Sequence, residues 1–514
     1  MPSTCFQTLG TRAAGKVMTD THTSPKKRSY YVGLILVLAS CGPGSQPLEA
    51  TRNPDVNLPD APKKEQFQAD WSSFLMDLGH SSVNEEATAI TKDNAADLTE
   101  VWRWEPDPPT EEGQPPAQLF SSPTVSGGVV FIGANTGDFY ALDQATGEVL
   151  WKQFLGWIGE GDCGRRGIAS TAAVAEDPNT GRPVVYVGGG DGHLYALDAA
   201  DGSILWKARV IEEGDDGHVW SSPSIVDGSV YIGVAGHCKS VIRGGVKLFE
   251  QATGELLASY WTVPEGIVGG SVWSAIAAPP DGADVFVSTG NGAPEQPAGD
   301  SYSIVRLDRD SLQKKDIWTA PLAGTDLDFG GSPTLFSAEI EGSSTPMVGA
   351  CNKNGHYYAL QQDALSEGPV WELVVSGKWP DEGNCLGGAV WDETGQRLFV
   401  AGAQTTIEGQ PFRGSVRRLD PATGAPIWEL GLLGVVWGNY SMNGADILAV
   451  PSFDTEPDAT RGVFLIDASE GTLLATVETL DSPTFAQPVF ADRFLFVATI
   501  ADGLIVYEPG TAGS

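Results

Sequence analysis

Cysteine and histidine are the side chains of this sequence best suited to covalent, redox or metal chemistry, and both are scarce. The 514 residues hold six of each. Cys5 and Cys41 stand near the N-terminus, and Cys163, Cys238, Cys351 and Cys385 are spread over the remainder. Their spacing fits no zinc site, and no Cys-x-x-Cys-His run is present, so no covalently bound haem is expected. The last four, an even number in an oxidising compartment, read as a pair of disulfides with three possible pairings. No glycine-rich nucleotide loop leads from a strand into a helix, and no Ser–His–Asp order stands out. A formal net charge of −35 repels phosphate and excludes nucleic acid as a partner.

The N-terminus has the layout of an export leader. Lys26, Lys27 and Arg28 precede the apolar run Tyr30–Leu38, which is too short for a comfortable transmembrane helix. Leu38-Ala39-Ser40-Cys41 follows and resembles the bacterial lipoprotein box, which implies lipidation of Cys41. The organisation expected is a leader over 1–41, a disordered Pro-rich tether over 42–68 and a folded body over 69–514. Such a protein sits in the cell envelope, held to the membrane by its lipid alone. Gly42 after the lipidated residue weakly favours the outer membrane.

The elements that must position any site come from a repeated phrase. Gly137–Trp151 reads GDFYALDQATGEVLW and Gly192–Trp206 reads GHLYALDAADGSILW. Weaker copies start at Val246, Gly355, Gly414 and Gly462, and the most degraded at Ser301 and Gly503. Repetition at about 50 residues marks a propeller or solenoid. Each copy supplies four β-rich strands bounded by Gly, Asp or Pro. The Asp accepts bonds from the amides of its own turn, and the Trp packs one blade on the next. The fold predicted is all-β, an eight-bladed propeller of four-stranded antiparallel blades. Leu98–Trp104 is expected to complete the C-terminal blade and so remove open edges. Cys163–Cys238 and Cys351–Cys385 are the favoured disulfides, because nearby blades bring those loops together. His193 and His356 share one slot in two copies and read as structural; His237 is the one histidine near a candidate site.

The copies are similar to the tryptophan-docking blades of the pyrroloquinoline quinone (PQQ) dehydrogenases, alcohol and polyvinyl-alcohol dehydrogenases among them. The opening stretch from Ala69, ADWSSFLMDLGHSSVNEEATAITKDNAADLTEVWRWEP, resembles the segment that starts those enzymes. The assembly scaffold BamB uses the same blades without a cofactor, so fold and chemistry need separate arguments. VWSAIAAPPDGADVFVSTGNG, from Val272, resembles the segment in which a Trp stacks under the quinone and an Asn binds the metal; these roles fall on Trp273 and Asn291. GTDLDFGGSP resembles the segment of the catalytic base, here Asp328. Gly330 stands where lanthanide-using relatives carry an extra carboxylate. CNKNGHYYAL places Lys353 at the quinone oxygens, and CGRRGIAS places Arg166 at a cofactor carboxylate.

The pattern departs from the family twice. The third unit reads GHCKSVIRGG, with His237, Cys238 and Lys239 where a metal-binding Glu is expected. The adjacent cysteine pair that covers the quinone is also missing. Each candidate has a structural use as well: Trp273 in blade packing, Asn291 and Lys353 in turns, Asp328 as a turn cap, Arg166 in a pair with Asp162. The resemblance implies a lipid-anchored dehydrogenase that oxidises an alcohol with PQQ and Ca²⁺ and passes electrons to a separate carrier. The alternative is a non-catalytic, BamB-like propeller that binds an envelope protein or a glycan.

Overall fold

The computed structural model describes residues 69–510 except 159–163, 239–240, 294–298, 322–325, 378–383, 455, 457–459 and 480–481. The leader with Cys41, the tether, Cys5, Cys163 and Lys239 lie outside the described residues. The body consists of eight β-sheets in chain order. We number the blades by these sheets: blade 1 starts at Thr124–Ser126 and blade 8 ends with Leu504–Pro509. Leu98–Trp104 pairs antiparallel with Leu504–Pro509 and supplies the fourth strand of blade 8. Eight hydrophobic clusters lie between neighbouring blades, blades 8 and 1 included. Inner strands are covered on both faces and read as continuous apolar runs, as in the fully buried Phe139–Leu142. Outer strands such as Val149–Phe154 are half exposed.

The turn and the Trp of the repeat work together. Asp143 Oδ1 accepts bonds from the amides of Ala145 and Thr146 at 3.0 and 2.9 Å, and Asp420 does the same for Ala422 and Thr423. In five blades the Gly that ends the turn has φ near +70° and lies under a Trp of the preceding blade. A Cβ on Gly147 would stand 2.5 Å from the Trp102 ring, and Gly202 and Gly254 meet Trp151 and Trp206 in the same way. The indole N–H then donates to the next blade: Trp102 to Gln144 O at 3.1 Å, Trp151 to Ala199 O at 3.0 Å, Trp371 to Pro421 O at 2.9 Å. Aspartate, glycine and tryptophan thus form one joint between blades.

Three blades differ from the four-strand expectation: blades 3 and 7 each gain a two-residue strand, Gly217–His218 and Val83–Asn84, and blade 4 is one strand short. Blade 4 has three strands, Asp284–Ser288, Ser303–Asp308 and Lys314–Thr319. Its would-be first strand is reduced to the bridge Ala277–Phe286, because Pro279 and Pro280 have no amide to donate. Residues 71–82 run along six blades, bonding to the first strand of five and to Ala278 in blade 4. Trp71 pairs with Val125, and the carbonyls of Ser72, Leu78, Gly79, Ser81 and Ser82 accept from Val174, Ala278, Leu335, Trp391 and Met442. His80 Nδ1 lies 2.6 Å from Pro333 O. This segment satisfies backbone groups at the inner edges of the blades.

Candidate functional site

Three chain segments meet where blades 4 and 5 adjoin. Asn291 follows the strand Asp284–Ser288, in a loop fixed by Thr289 Oγ1 donating to Asp300 O at 2.7 Å and by the Gly290 amide on Ser271 O at 2.7 Å. A Cβ on Gly290 would stand 2.8 Å from Ser271 O and 3.2 Å from Asp328 Oδ2, so glycine there leaves room for the carboxylate. Asp328 lies in the crossing between the blades. Its carbonyl accepts the Lys353 amide at 3.0 Å, and Phe329 bridges Asn352. Lys353 occupies the turn after Ser343–Cys351, a strand whose end is tied to Cys385 by a disulfide. These residues sit on two neighbouring blades and the crossing between them.

The side chains form one network. Lys353 Nζ lies 2.7 Å from Asp328 Oδ1 and 2.8 Å from Asp326 Oδ1. Asn291 Nδ2 donates to Asp326 Oδ1 at 2.6 Å, and Trp273 Nε1 donates to Asp328 Oδ2 at 3.3 Å. The ammonium stands 5.4 Å from the centre of the Trp273 ring, within reach of its π face. Burial holds Asp328 above the usual carboxylate range, against the pull of Lys353. Burial also raises Asp326, but the Lys353 charge and the Asn291 bond outweigh it and bring Asp326 below its ordinary value. Burial lowers Lys353; the two carboxylates more than offset it, so the ammonium stays charged.

Sequence reasoning named Trp273, Asn291, Asp328 and Lys353, and the structure brings all four together. It missed Asp326, which joins the amide to the ammonium. Asp326 has φ +58°, a left-handed conformation costly for a residue with a Cβ and often kept at functional sites. The signal lay in the Asp-Leu-Asp spacing, of which only the second carboxylate was used. Gly330 also gains a reason: a Cβ there would overlap Leu386 and stand 3.3 Å from Trp273.

Arg166 belongs to a second cluster. Its guanidinium lies 4.9 Å from the Phe120 ring centre and 6.0 Å from that of Trp220. His218 and His237 complete this group, packed against Trp220. The Cys351–Cys385 disulfide is present. Cys238 is also disulfide-bonded, while Cys163, its expected partner, lies outside the described residues. Clefts lined by Asp107, Gln114 and Lys152 and by Pro279, Phe286 and Gln362 hold none of the network.

The network can hold a proton on a buried carboxylate, and its two carboxylates and an amide oxygen are hard donors of the kind Ca²⁺ takes. Among the described residues no group of three or more His, Cys, Asp or Glu side chains stands ready as a metal site. A cation here would need Asn291, Asp326 and ligands from outside the chain.

Comparison with known proteins agrees with the repeat. The chain is 26% identical over 393 residues to the dehydrogenase subunit of the quinone alcohol dehydrogenase of Gluconobacter oxydans (strain 621H), covering 67% of this chain and 49% of that protein. It thus spans about half the length of that relative. It is 24% identical over 400 residues to the outer membrane protein assembly factor BamB of Burkholderia pseudomallei (strain K96243), covering 76% of this chain and 84% of that one. The fold matches a europium-containing methanol dehydrogenase with a TM-score of 0.69 at 16% identity, covering 87% of this chain and 100% of the other. The family model for the glucose/ethanol/alcohol dehydrogenase β-propeller domain matches residues 71–374. The chain belongs to the PQQ β-propeller family.

Proposed function

We propose that this chain is a lipid-anchored, extracytoplasmic quinoprotein dehydrogenase that oxidises an alcohol with PQQ and Ca²⁺. The observation that supports this reading best is the convergence of Trp273, Asn291, Asp326, Asp328 and Lys353 on one network. The residues fit the group. Trp273 offers an aromatic face, Asn291 and Asp326 offer oxygen donors, and Lys353 offers a cation to quinone oxygens. Asp326 supplies a carboxylate beside Asn291, in place of the Glu missing from the third unit. When bound, PQQ with its cation supplies a polarised two-electron acceptor.

In this scheme Asp328 takes the hydroxyl proton of the alcohol at Oδ1 or Oδ2. Its burial brings its proton affinity closer to neutral pH, where a general base works best. Lys353 keeps it ionised before substrate arrives, and Trp273 fixes the other oxygen. The alcohol loses two electrons and two protons, and the electrons pass to a separate carrier. The test is dye-linked alcohol oxidation by protein reconstituted with PQQ and Ca²⁺. Wild type should turn over, and Asp328→Asn should lose about 10²-fold or more. Equal rates in both would refute the base. Cys41 carries the anchor in the same reading, so Cys41→Ala should release the protein from the membrane fraction.

One observation favours a second reading. The third unit carries His237, Cys238 and Lys239 where the family places a metal-binding Glu. A scaffold that binds an envelope protein or a glycan would account for the missing Glu. It predicts no PQQ binding at all.

A further inference from the structure

His218 and His237 are buried side by side on blade 3. His218 lies on the short strand Gly217–His218, which pairs with the end of Ser229–Gly236, and His237 follows that strand directly. Both are nearly inaccessible, at 0% and 3% exposure. Their rings are stacked at 23° with centres 5.8 Å apart, and Trp220 packs against both, 4.5 Å from His218 and 6.5 Å from His237.

One nitrogen of each ring is anchored. His218 Nε2 lies 2.8 Å from Gly167 O, so it carries the proton and donates. His237 Nδ1 lies 3.4 Å from Asp216 Oδ1, so its proton points to the carboxylate. The other nitrogens, His218 Nδ1 and His237 Nε2, are left as lone-pair acceptors, and each is buried without a hydrogen-bond partner. A buried polar atom left unpaired is costly and calls for a ligand. An imidazole anchored through one N–H to a carbonyl or carboxylate, with its second nitrogen bare, is the arrangement of a metal-binding histidine.

We infer that His218 Nδ1 and His237 Nε2 form a binding site for a borderline divalent transition metal such as Zn²⁺ or Cu²⁺. A metal at ~2.1 Å from each nitrogen holds two imidazole centres roughly 6 Å apart, which the observed separation matches. Imidazole donors select this class of ion over Ca²⁺. Cys238 is engaged in a disulfide and offers no thiolate. No third His, Cys, Asp or Glu joins the pair among the described residues, so water or an anion completes the shell. Arg166 opposes a bare cation and favours a metal that carries an anionic ligand.

The test uses the full chain, stripped with chelator and free of PQQ, and titrated with Zn²⁺ by calorimetry. Wild type should bind a single equivalent. His237→Gln should abolish saturation, and Asp216→Asn, a change at a half-exposed position, should weaken it ~10–100-fold through loss of the anchor. Asn291→Ala should bind as wild type does, which separates this site from the proposed quinone site. Cu²⁺ bound to wild type should show resonance splitting from two nitrogens, and from one in His237→Gln. Absence of saturable binding up to about 1 mM Zn²⁺, unchanged affinity in His237→Gln, or loss of binding in Asn291→Ala would each overturn the assignment.

Discussion

Asp328 and Lys353 are joined twice: the Lys353 amide donates to the Asp328 carbonyl at 3.0 Å, and Lys353 Nζ meets Asp328 Oδ1 at 2.7 Å. The backbone bond fixes the turn that carries the lysine, and the side-chain bond then falls into place. Asp328 is almost wholly buried, so its charge depends on that partner. Lys353→Met should therefore destabilise the body by roughly 3–5 kcal/mol, the usual penalty for stranding a buried charge. Adding Asp328→Asn should recover part of the loss. Thermal or denaturant unfolding of the two single variants and the double variant checks this. Additive losses would show that the pair is not coupled.

The blade joint gives a second prediction. Gly424 lies against the Trp371 ring at φ +70°, whereas Gly181 has φ +66° with nothing within 4 Å of its would-be Cβ. Gly181→Ala pays only for the left-handed backbone, about 1 kcal/mol. Gly424→Ala must also displace the indole, which adds about 1–3 kcal/mol. Equal losses in urea unfolding would mean that the Trp contact does not join the blades.

A third concerns acid. Burial pushes the His80 imidazole below its ordinary 6.5, against the hydrogen bond to Pro333 O. A depressed folded-state value means that the stabilisation is complete above the unfolded value and is lost as pH falls below it. Wild type should lose more melting temperature between about pH 7.5 and about pH 5 than His80→Gln does. The opposite order would contradict the assignment of His80 as a buried neutral ring.

Residues 71–82 give a fourth. They accept or donate backbone bonds at the inner edges of six blades. Deleting 69–82 should abolish folding of the body, or leave it open to rapid proteolysis. A deletion variant with wild-type melting behaviour would show that the segment is dispensable.

Much of this was legible in the sequence because the repeat is local. The Asp, Gly and Trp of each copy sit at fixed offsets, and each does its work within one turn or one blade contact. Leu98–Trp104 was legible for the same reason, as a Trp-bearing strand without its own copy. Blade 4 was misjudged because two prolines silence a strand whose apolar pattern looks intact. Asp326 was missed because only the second carboxylate of Asp-Leu-Asp was read, and its left-handed backbone, at φ +58°, leaves no mark in the sequence. His218 was passed over because its partner becomes a neighbour only when Gly217–His218 folds back onto the end of Ser229–Gly236. One-dimensional motifs report what lies near in the chain; the site depends on what the blades bring near in space.

The most direct test of the central claim is calorimetric titration of the soluble body with PQQ in the presence of Ca²⁺, for wild type, Asn291→Ala and Asp326→Ala. The account predicts saturable, Ca²⁺-dependent binding by wild type that both substitutions weaken at least about tenfold, with melting behaviour retained. No PQQ binding by wild type, or binding indifferent to both substitutions, would contradict it and leave the propeller as a scaffold.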